Sequence, residues 1–351
     1  MPELQPPATD PTPIFELFRG SLATELLTAA ITEFDVFGRL AAGAKRFDAL
    51  ASELALAPRA ATVLLTALKA MKLLVGRQAD GAEMLELTAI ARAHLVRGGA
   101  FDVSAYVGLA GASPGVQAMI ERLRTNRPAG SRNEDQGTAF IFRPGEASLM
   151  EQERAARELT LALAGRARNV APVLAERYPL DGARTLLDVG GGTGIYSIAW
   201  LRRHPQLRAV VWDRPEVLKV AGEMAREFGV ADRLSCVAGD MLSDPLPVEA
   251  EVCLLSNVLH DWDVPECRRL VGRCAAGLPR GGRLLVHDVL LDDDHAGPLP
   301  VALYSAALFS VTEGRAYSAA EYRAWLVEAG LTPEPAIETL VHCHVLPGRK
   351  L

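Results

Sequence analysis

The sequence predicts an α/β protein: a doubly wound, mostly parallel, Rossmann-like sheet preceded by a helical, winged-helix-like domain. Three observations carry this reading. From residue 184 onward, short apolar runs alternate with stretches of helical spacing, the pattern of strands joined by crossover helices. The first apolar run ends in a glycine-dense turn, Asp188-Val189-Gly190-Gly191-Gly192-Thr193-Gly194. Residues 14–97, by contrast, show helical periodicity with little strand signal.

The tail 1–13 holds Pro2, Pro6, Pro7, Pro11 and Pro13, which disfavour regular structure, and it has no basic-then-apolar leader pattern. In 14–100, Ile14, Phe15, Phe18, Leu22, Leu26 and Leu27 recur at helical spacing. Two short helical patterns flank Pro58, and the stretch closes on Leu73-Leu74-Val75-Gly76. A hairpin-like break at Asp80-Gly81 and a short strand over Met84–Leu87 follow. Helix, turn, helix and hairpin make a winged-helix outline. Ala and Leu dominate its second helix and cations are thin, which favours dimerisation over DNA reading. Residues 101–180 read as helical, with loops around Pro114 and across 126–146 and a helix over 151–177. The domain 181–351 carries strands at 184–189, 208–213, 233–237, 251–256 and 283–290, with a late pair near 335–346. Helices fall at 194–203, 215–228, 265–277 and 318–329.

The chain's 351 residues allow about two domains, and 49% hydrophobic content supports sizeable cores. A net charge of −6 argues against a nucleic-acid partner. No apolar run approaches the roughly 20 residues of a membrane span. The five cysteines are scattered, with no Cys-x-x-Cys pair, and suggest neither disulfides nor zinc but buried thiols in a cytoplasmic protein.

Asp213 closes the second apolar run, Ala-Val-Val-Trp-Asp, 25 residues after Asp188. Strand, glycine turn, helix, strand and acid together form a nucleoside-holding unit: the turn lets backbone approach the ligand, and the acid accepts from ribose hydroxyls. The dinucleotide fingerprint fits Gly190 and Gly192, but its third place falls on Ile195. The pattern Asp-x-Gly-x-Gly-x-Gly resembles instead motif I of class I methyltransferases that use S-adenosylmethionine (SAM). That resemblance implies that Gly190, Gly191, Gly192 and Gly194 pack against the methionine half of the cofactor. It also implies that Asp188 helps position the cofactor's amino group. The third strand ends in Asp240-Met241, an acid for the adenine amine and a thioether to cover the ring. The fourth runs into His260-Asp261-Trp262, placing an imidazole where it can take a proton from a phenol or alcohol.

His-Asp-Trp after an apolar strand, motif I upstream and a helical N-terminal domain resemble the caffeate/hydroxyindole-type O-methyltransferases of plants and bacterial natural-product pathways. The similarity covers about residues 14–348. It implies a SAM-dependent homodimer that methylates a hydroxyl on a small, largely apolar, aromatic acceptor, with His260 as general base, Asp213 on the ribose, Asp240 and Met241 on the adenine and Trp262 beside the cofactor. Asp288 matches one of the two acids that flank the family's base. At the other acid's place stands Ala316, with Glu313 nearby, and this departure keeps N- and C-methylation open. Plant members carry a cofactor-contacting Lys where this chain has Ser256. The family's acceptor pocket draws on the region of Tyr304 and Phe309; helix core is the competing reading of both. His287, Asp288, Asp292, Asp293, Asp294 and His295 cluster in sequence, but consecutive acids on a strand cannot all face one ion, so no metal is expected. A SAM-binding regulator without turnover and a nicotinamide dehydrogenase are the remaining alternatives.

Overall fold

The computed structural model describes residues 3–128 and 153–351. The loop expected over 126–146 therefore lies, beyond Pro128, outside the described residues, as does the start of the helix expected from 151. The described chain divides into two compact units, one of residues 14–128 and 291–318, the other of 3–13, 153–290 and 319–351.

The first unit is helical with a small sheet. Strands β1 (Lys45–Arg46), β2 (Leu74–Ala79) and β3 (Ala82–Leu87) pair antiparallel in the order β1-β3-β2. Asp80 and Gly81 both adopt left-handed φ (51° and 74°), the geometry of a tight hairpin turn whose twist matches its strands. Helices Phe47–Glu53 and Pro58–Ala70 complete the winged-helix outline. From Arg59 to Ala70 every residue of the second helix except Thr62 is buried, so it offers no face to a DNA groove. It packs against helix Leu299–Val311, a run without a single charge. The sequence placed 291–318 with the catalytic domain. An apolar helix has no solvent face, and this one completes the helical core beside Leu64, Leu68 and Met119. Several large apolar side chains of the unit stay exposed, among them Leu17, Phe18, Phe101, Tyr106 and Leu109.

The second unit is built on β4 (Thr185–Val189), β5 (Arg208–Asp213), β6 (Leu234–Ala238), β7 (Val252–Ser256) and β8 (Arg283–Leu291). The two-residue β9 (Tyr317–Ser318) belongs to the other unit by residue number; β10 (Thr332–Pro333), β11 (Ile337–Glu338) and β12 (Cys343–Arg349) follow. The sheet order is β10-β12-β8-β7-β4-β5-β6, with β11 also on β12. Strands β4 to β8 run parallel, and β12 joins β8 antiparallel. Helices Glu153–Arg177, Ile195–Arg203 and Pro215–Glu227 pack together, as do Val264–Gly277 and Ala319–Glu328. This is the doubly wound arrangement. Its central strands are almost wholly apolar because both faces are covered. The order reverses between β4 and β7, and in such sheets ligands bind beyond the carboxyl ends of the strands at that point. Among the described residues no single helix is long and apolar enough to cross a membrane.

Candidate active site

The tips of β4, β5 and β6 each carry a carboxylate, and backbone hydrogen bonds tie them together. Gly190 N donates to Trp212 O (2.8 Å) and Gly239 N to Asp213 O (3.1 Å). Gly190 takes φ +64°, which an L side chain rarely adopts, and a Cβ there would lie 2.9 Å from Val258. Gly192 is also left-handed (φ +59°), but a Cβ there would meet nothing within 4 Å. The turn is thus closed against the protein at Gly190 and open at Gly192. Gly194 caps the following helix, and Gly191 lies so close to Asp188 that a Cβ would strike its carboxyl.

Asp188 is buried. Its Oδ2 accepts from Ser197 Oγ (2.7 Å), while Oδ1 is shut off from water with no hydrogen-bond partner. Burial pushes its pKa up to about 7, with the Ser197 bond opposing and the charge of Asp213 adding. A buried acceptor left unpaired costs about 1–3 kcal/mol, and a bound ammonium would satisfy it. Asp213 accepts Gly192 N at Oδ2 (2.8 Å) and Arg214 N at Oδ1 (2.7 Å). Burial raises its pKa, against the pull of those two N–H groups. Each of its oxygens keeps a second lone pair for a ribose hydroxyl. Asp240 Oδ1 accepts Leu242 N (2.8 Å), and Met241 Sδ sits 3.6 Å from the Cβ position of Gly190, bringing the β6 tip to the glycine turn. An unpaired buried acceptor, an open glycine cradle and two anchored carboxylates fit an aminoacyl nucleoside such as SAM.

Beyond β7 the chain turns at Asn257, left-handed at φ 56°, into a short 3-10 helix, Leu259–Asp261. Ser256 pairs with His287 across the parallel register, so Asp288 stands one residue past the β7 tip, level with the turn that carries His260. His260 Nδ1 and Asp288 Oδ1 are 2.6 Å apart, with the two residues only 4% and 1% exposed. Val289 N also donates to Oδ1 (2.8 Å), and Tyr322 Oη donates to Oδ2 (3.1 Å). With Nδ1 against Asp288, Nε2 is the ring nitrogen turned away from that carboxylate. The second carboxylate beside the ring is Asp261, whose Oδ1 lies 3.7 Å from Nε2. Burial alone would lower the pKa of His260, but Asp288 and Asp261 outweigh it and the net shift is upward. Burial lifts Asp261 to about 6, against the opposing pull of His260. Trp262 is buried just after this turn.

A family model described as an O-methyltransferase domain matches residues 146–332. The 3-hydroxy-5-methyl-1-naphthoate 3-O-methyltransferase of Streptomyces sahachiroi is 36% identical over 93% of this chain and 90% of its own.

The chain belongs to the O-methyltransferase family.

Acetylserotonin O-methyltransferase from Bos taurus is 32% identical over 90% of each chain. A solved O-methyltransferase family 2 protein from Planctomyces limnophilus, in complex with apigenin, is 48% identical with a TM-score of 0.88 over 99% of this chain and 98% of that one. The human N-acetylserotonin methyltransferase structure, in complex with SAM, shares the fold at 24% identity, with a TM-score of 0.59 over 96% of each chain. This methyltransferase is accordingly an enzyme with SAM as methyl donor.

Three residues read from the sequence meet partners within the methyltransferase itself. Phe309 is fully buried in the helical unit, with the Arg59 guanidinium 4.7 Å from its ring centre. It is core, because its helix is apolar on every side. Tyr304 is half-buried and carries Arg19 at 3.9 Å. Ser256 Oγ pairs with His287 Nδ1 (2.8 Å) and accepts Asn257 Nδ2 (3.0 Å), so its hydroxyl is engaged within the protein. Sequence reasoning missed Arg166, which donates to Asn257 Oδ1 (2.8 Å) and Cys343 Sγ (2.8 Å). It is one arginine among several on its helix, and no local pattern distinguishes it. Tyr322 was missed because an aromatic three residues before Trp325 reads as helix core. Asp261 lay inside the quoted His-Asp-Trp motif, and its adjacency to His260 was the available signal.

Proposed function

We propose that this methyltransferase converts a phenolic hydroxyl on a planar, fused-ring acceptor to a methyl ether, with His260 as general base. The short His260–Asp288 contact carries the reading. Asp288 holds the Nδ1 proton and steadies the positive charge that grows on the ring as Nε2 takes the phenol proton. The phenol oxygen gains a bond to carbon, and that proton ends on His260. Bound SAM would supply a methyl on cationic sulfur: the carbon–sulfur bond would break as the carbon–oxygen bond forms, its electron pair returning to sulfur to leave a neutral thioether. Asp188, Asp213 and Asp240 would hold its ammonium, ribose and adenine, with Met241 beside the adenine. Arg166, held beside the β7 tip by Asn257 Oδ1, would supply positive charge for its carboxylate. The named relatives support an aromatic acceptor: one acts on a hydroxynaphthoate, and another was solved with apigenin.

We further assign the winged-helix-like unit to homodimerisation, through the exposed side chains around Leu17 and Leu109. Five free cysteines agree with a reducing cytoplasm. The test is His260→Gln assayed against hydroxynaphthoates and flavones by mass spectrometry. Loss of kcat by about 10²–10⁴-fold is expected, with the Kd for SAM unchanged by calorimetry. Turnover within about three-fold of the parent enzyme would overturn the assignment of the base.

A further inference from the structure

Asp288 Oδ1 meets the His260 imidazole at 2.6 Å. A contact that short depends on how the carboxylate is held. Oδ1 already takes two donors, His260 Nδ1 and Val289 N (2.8 Å). The torsion at a carboxylate is soft and nearly two-fold, so these contacts alone leave the group free to rock. Tyr322 Oη, 3.1 Å from Oδ2, grips the other end. Tyr322 is itself closely packed: it is 1% exposed, and its ring meets Trp325 edge-on at 5.4 Å and 83°. Both aromatics belong to helix Ala319–Glu328.

We propose that Tyr322 is a positioning residue for the methyl-transfer reaction, acting on His260 through Asp288. It supplies a neutral donor near the catalytic pair of a chain whose sequence has Ala316 in place of the family's second acid. The charged groups that act on the imidazole are Asp288, Asp261 and, with opposite sign, Arg166. A phenol donor adds no further negative charge to that set. By sharing its proton with Oδ2, Tyr322 drains charge from the carboxylate and so moderates the basicity Asp288 confers on His260. The residue thus fixes both where the imidazole points and how strongly it holds a proton.

The proposal rests on His260 as the base, and its test separates the two. Tyr322→Phe keeps the ring and its packing on Trp325 while removing the donor. kcat for the phenol should fall about 5- to 20-fold, and the acid limb of the kcat/KM profile should move to higher pH. The Kd for SAM should stay near that of the parent enzyme, and the Tm should fall by only a few degrees, the cost of one buried acceptor left unpaired. Replacing Tyr322 by 3-fluorotyrosine, a stronger donor of the same shape, should move the acid limb to lower pH. Nitrogen-15 NMR of His260 should show the Nδ1-protonated tautomer in both enzymes, with the ring keeping its second proton to higher pH in Tyr322→Phe. A Tyr322→Phe enzyme with unaltered kcat and acid limb overturns the proposal. So does a loss matched by an equal fall in SAM affinity or by unfolding, and so does fluorotyrosine moving the limb the same way as Phe. If His260→Gln keeps its activity, the base assignment itself falls; if only Tyr322→Phe is silent, the base assignment stands.

Discussion

Asp288→Asn isolates the charge of the catalytic pair. Asn has the shape of Asp, and the structure dictates which way its amide turns. Oδ1 faces two N–H donors, His260 Nδ1 and Val289 N, so the amide oxygen takes that place. The amide nitrogen then faces Tyr322, whose hydroxyl rotates to accept. The tautomer of His260 is unchanged, and what disappears is one negative charge. Unit charges about 4 Å apart interact by about 4 kcal/mol at an effective dielectric near 20. The imidazole is only partly charged at the transition state, so about 2–4 kcal/mol is at stake, a loss of roughly 30- to 1000-fold in kcat. The carboxylate also helps hold the His260 pKa above its ordinary value, so its removal should move the acid limb of kcat/KM to lower pH. Steady-state kinetics from pH 5 to 9, with SAM binding by calorimetry as control, measures both effects. A variant within about three-fold of the parent kcat and with an unmoved limb would refute the reasoning.

Gly192→Ala should weaken SAM binding by at least about 10-fold while costing only about 1–2 kcal/mol of stability, because its methyl enters the open cradle at an unfavourable φ; calorimetric Kd beside Tm checks this, and unchanged affinity counts against the cradle. Gly190→Ala should lose more stability, since its Cβ also meets Val258 at 2.9 Å. His287 is buried and neutral, its pKa driven from 6.5 down to about 3 chiefly by burial. Between those values the unfolded chain takes a proton that the folded chain refuses, so this residue withdraws stability as pH falls, by up to about 1.4 kcal/mol per unit. Asp188, raised to about 7, acts in the opposite sense over part of that window, so the comparison must be between variants. The Tm deficit of His287→Gln should shrink from pH 7 to pH 5 in calorimetry; a constant deficit would mean that His287 is charged when folded. Leu17→Asp combined with Leu109→Asp should convert a dimer to a monomer in light scattering, and a monomeric parent protein would dispose of the interface.

Much of the catalytic sheet was readable because parallel strands covered on both faces become apolar runs, as in Leu186–Val189 and Val252–Leu255. The positions of Asp188 and Asp213 followed, since each lies at the end of such a run before a turn, whereas Asp240 lies just past the half-exposed edge strand β6. Helix Leu299–Val311 was misassigned for a related reason. Apolar on all sides, it carries no stripe to say which core it joins, and Phe309 went with it. Arg166 and Tyr322 were hidden by distance in sequence. Each meets its partner only through the phase of a helix, Arg166 across 91 residues to Asn257 and Tyr322 across 34 to Asp288. Ser256 was identified by position alone, and only the register of β7 against β8 shows its hydroxyl turned to His287.

The route of the backbone has an evolutionary corollary. The chain leaves the nucleotide-binding unit after residue 290, lends residues 291–318 to the other unit, and re-enters at 319. Asp288 stands just before that departure and Tyr322 just after the return, so one buried hydrogen bond fastens the neck of the excursion. The two halves are therefore not interchangeable cassettes. Recombination at a single crossover, or truncation to the first hundred residues, would strip a core helix from one half, and grafting a foreign head would have to rebuild the stitch that sits beside the proposed base.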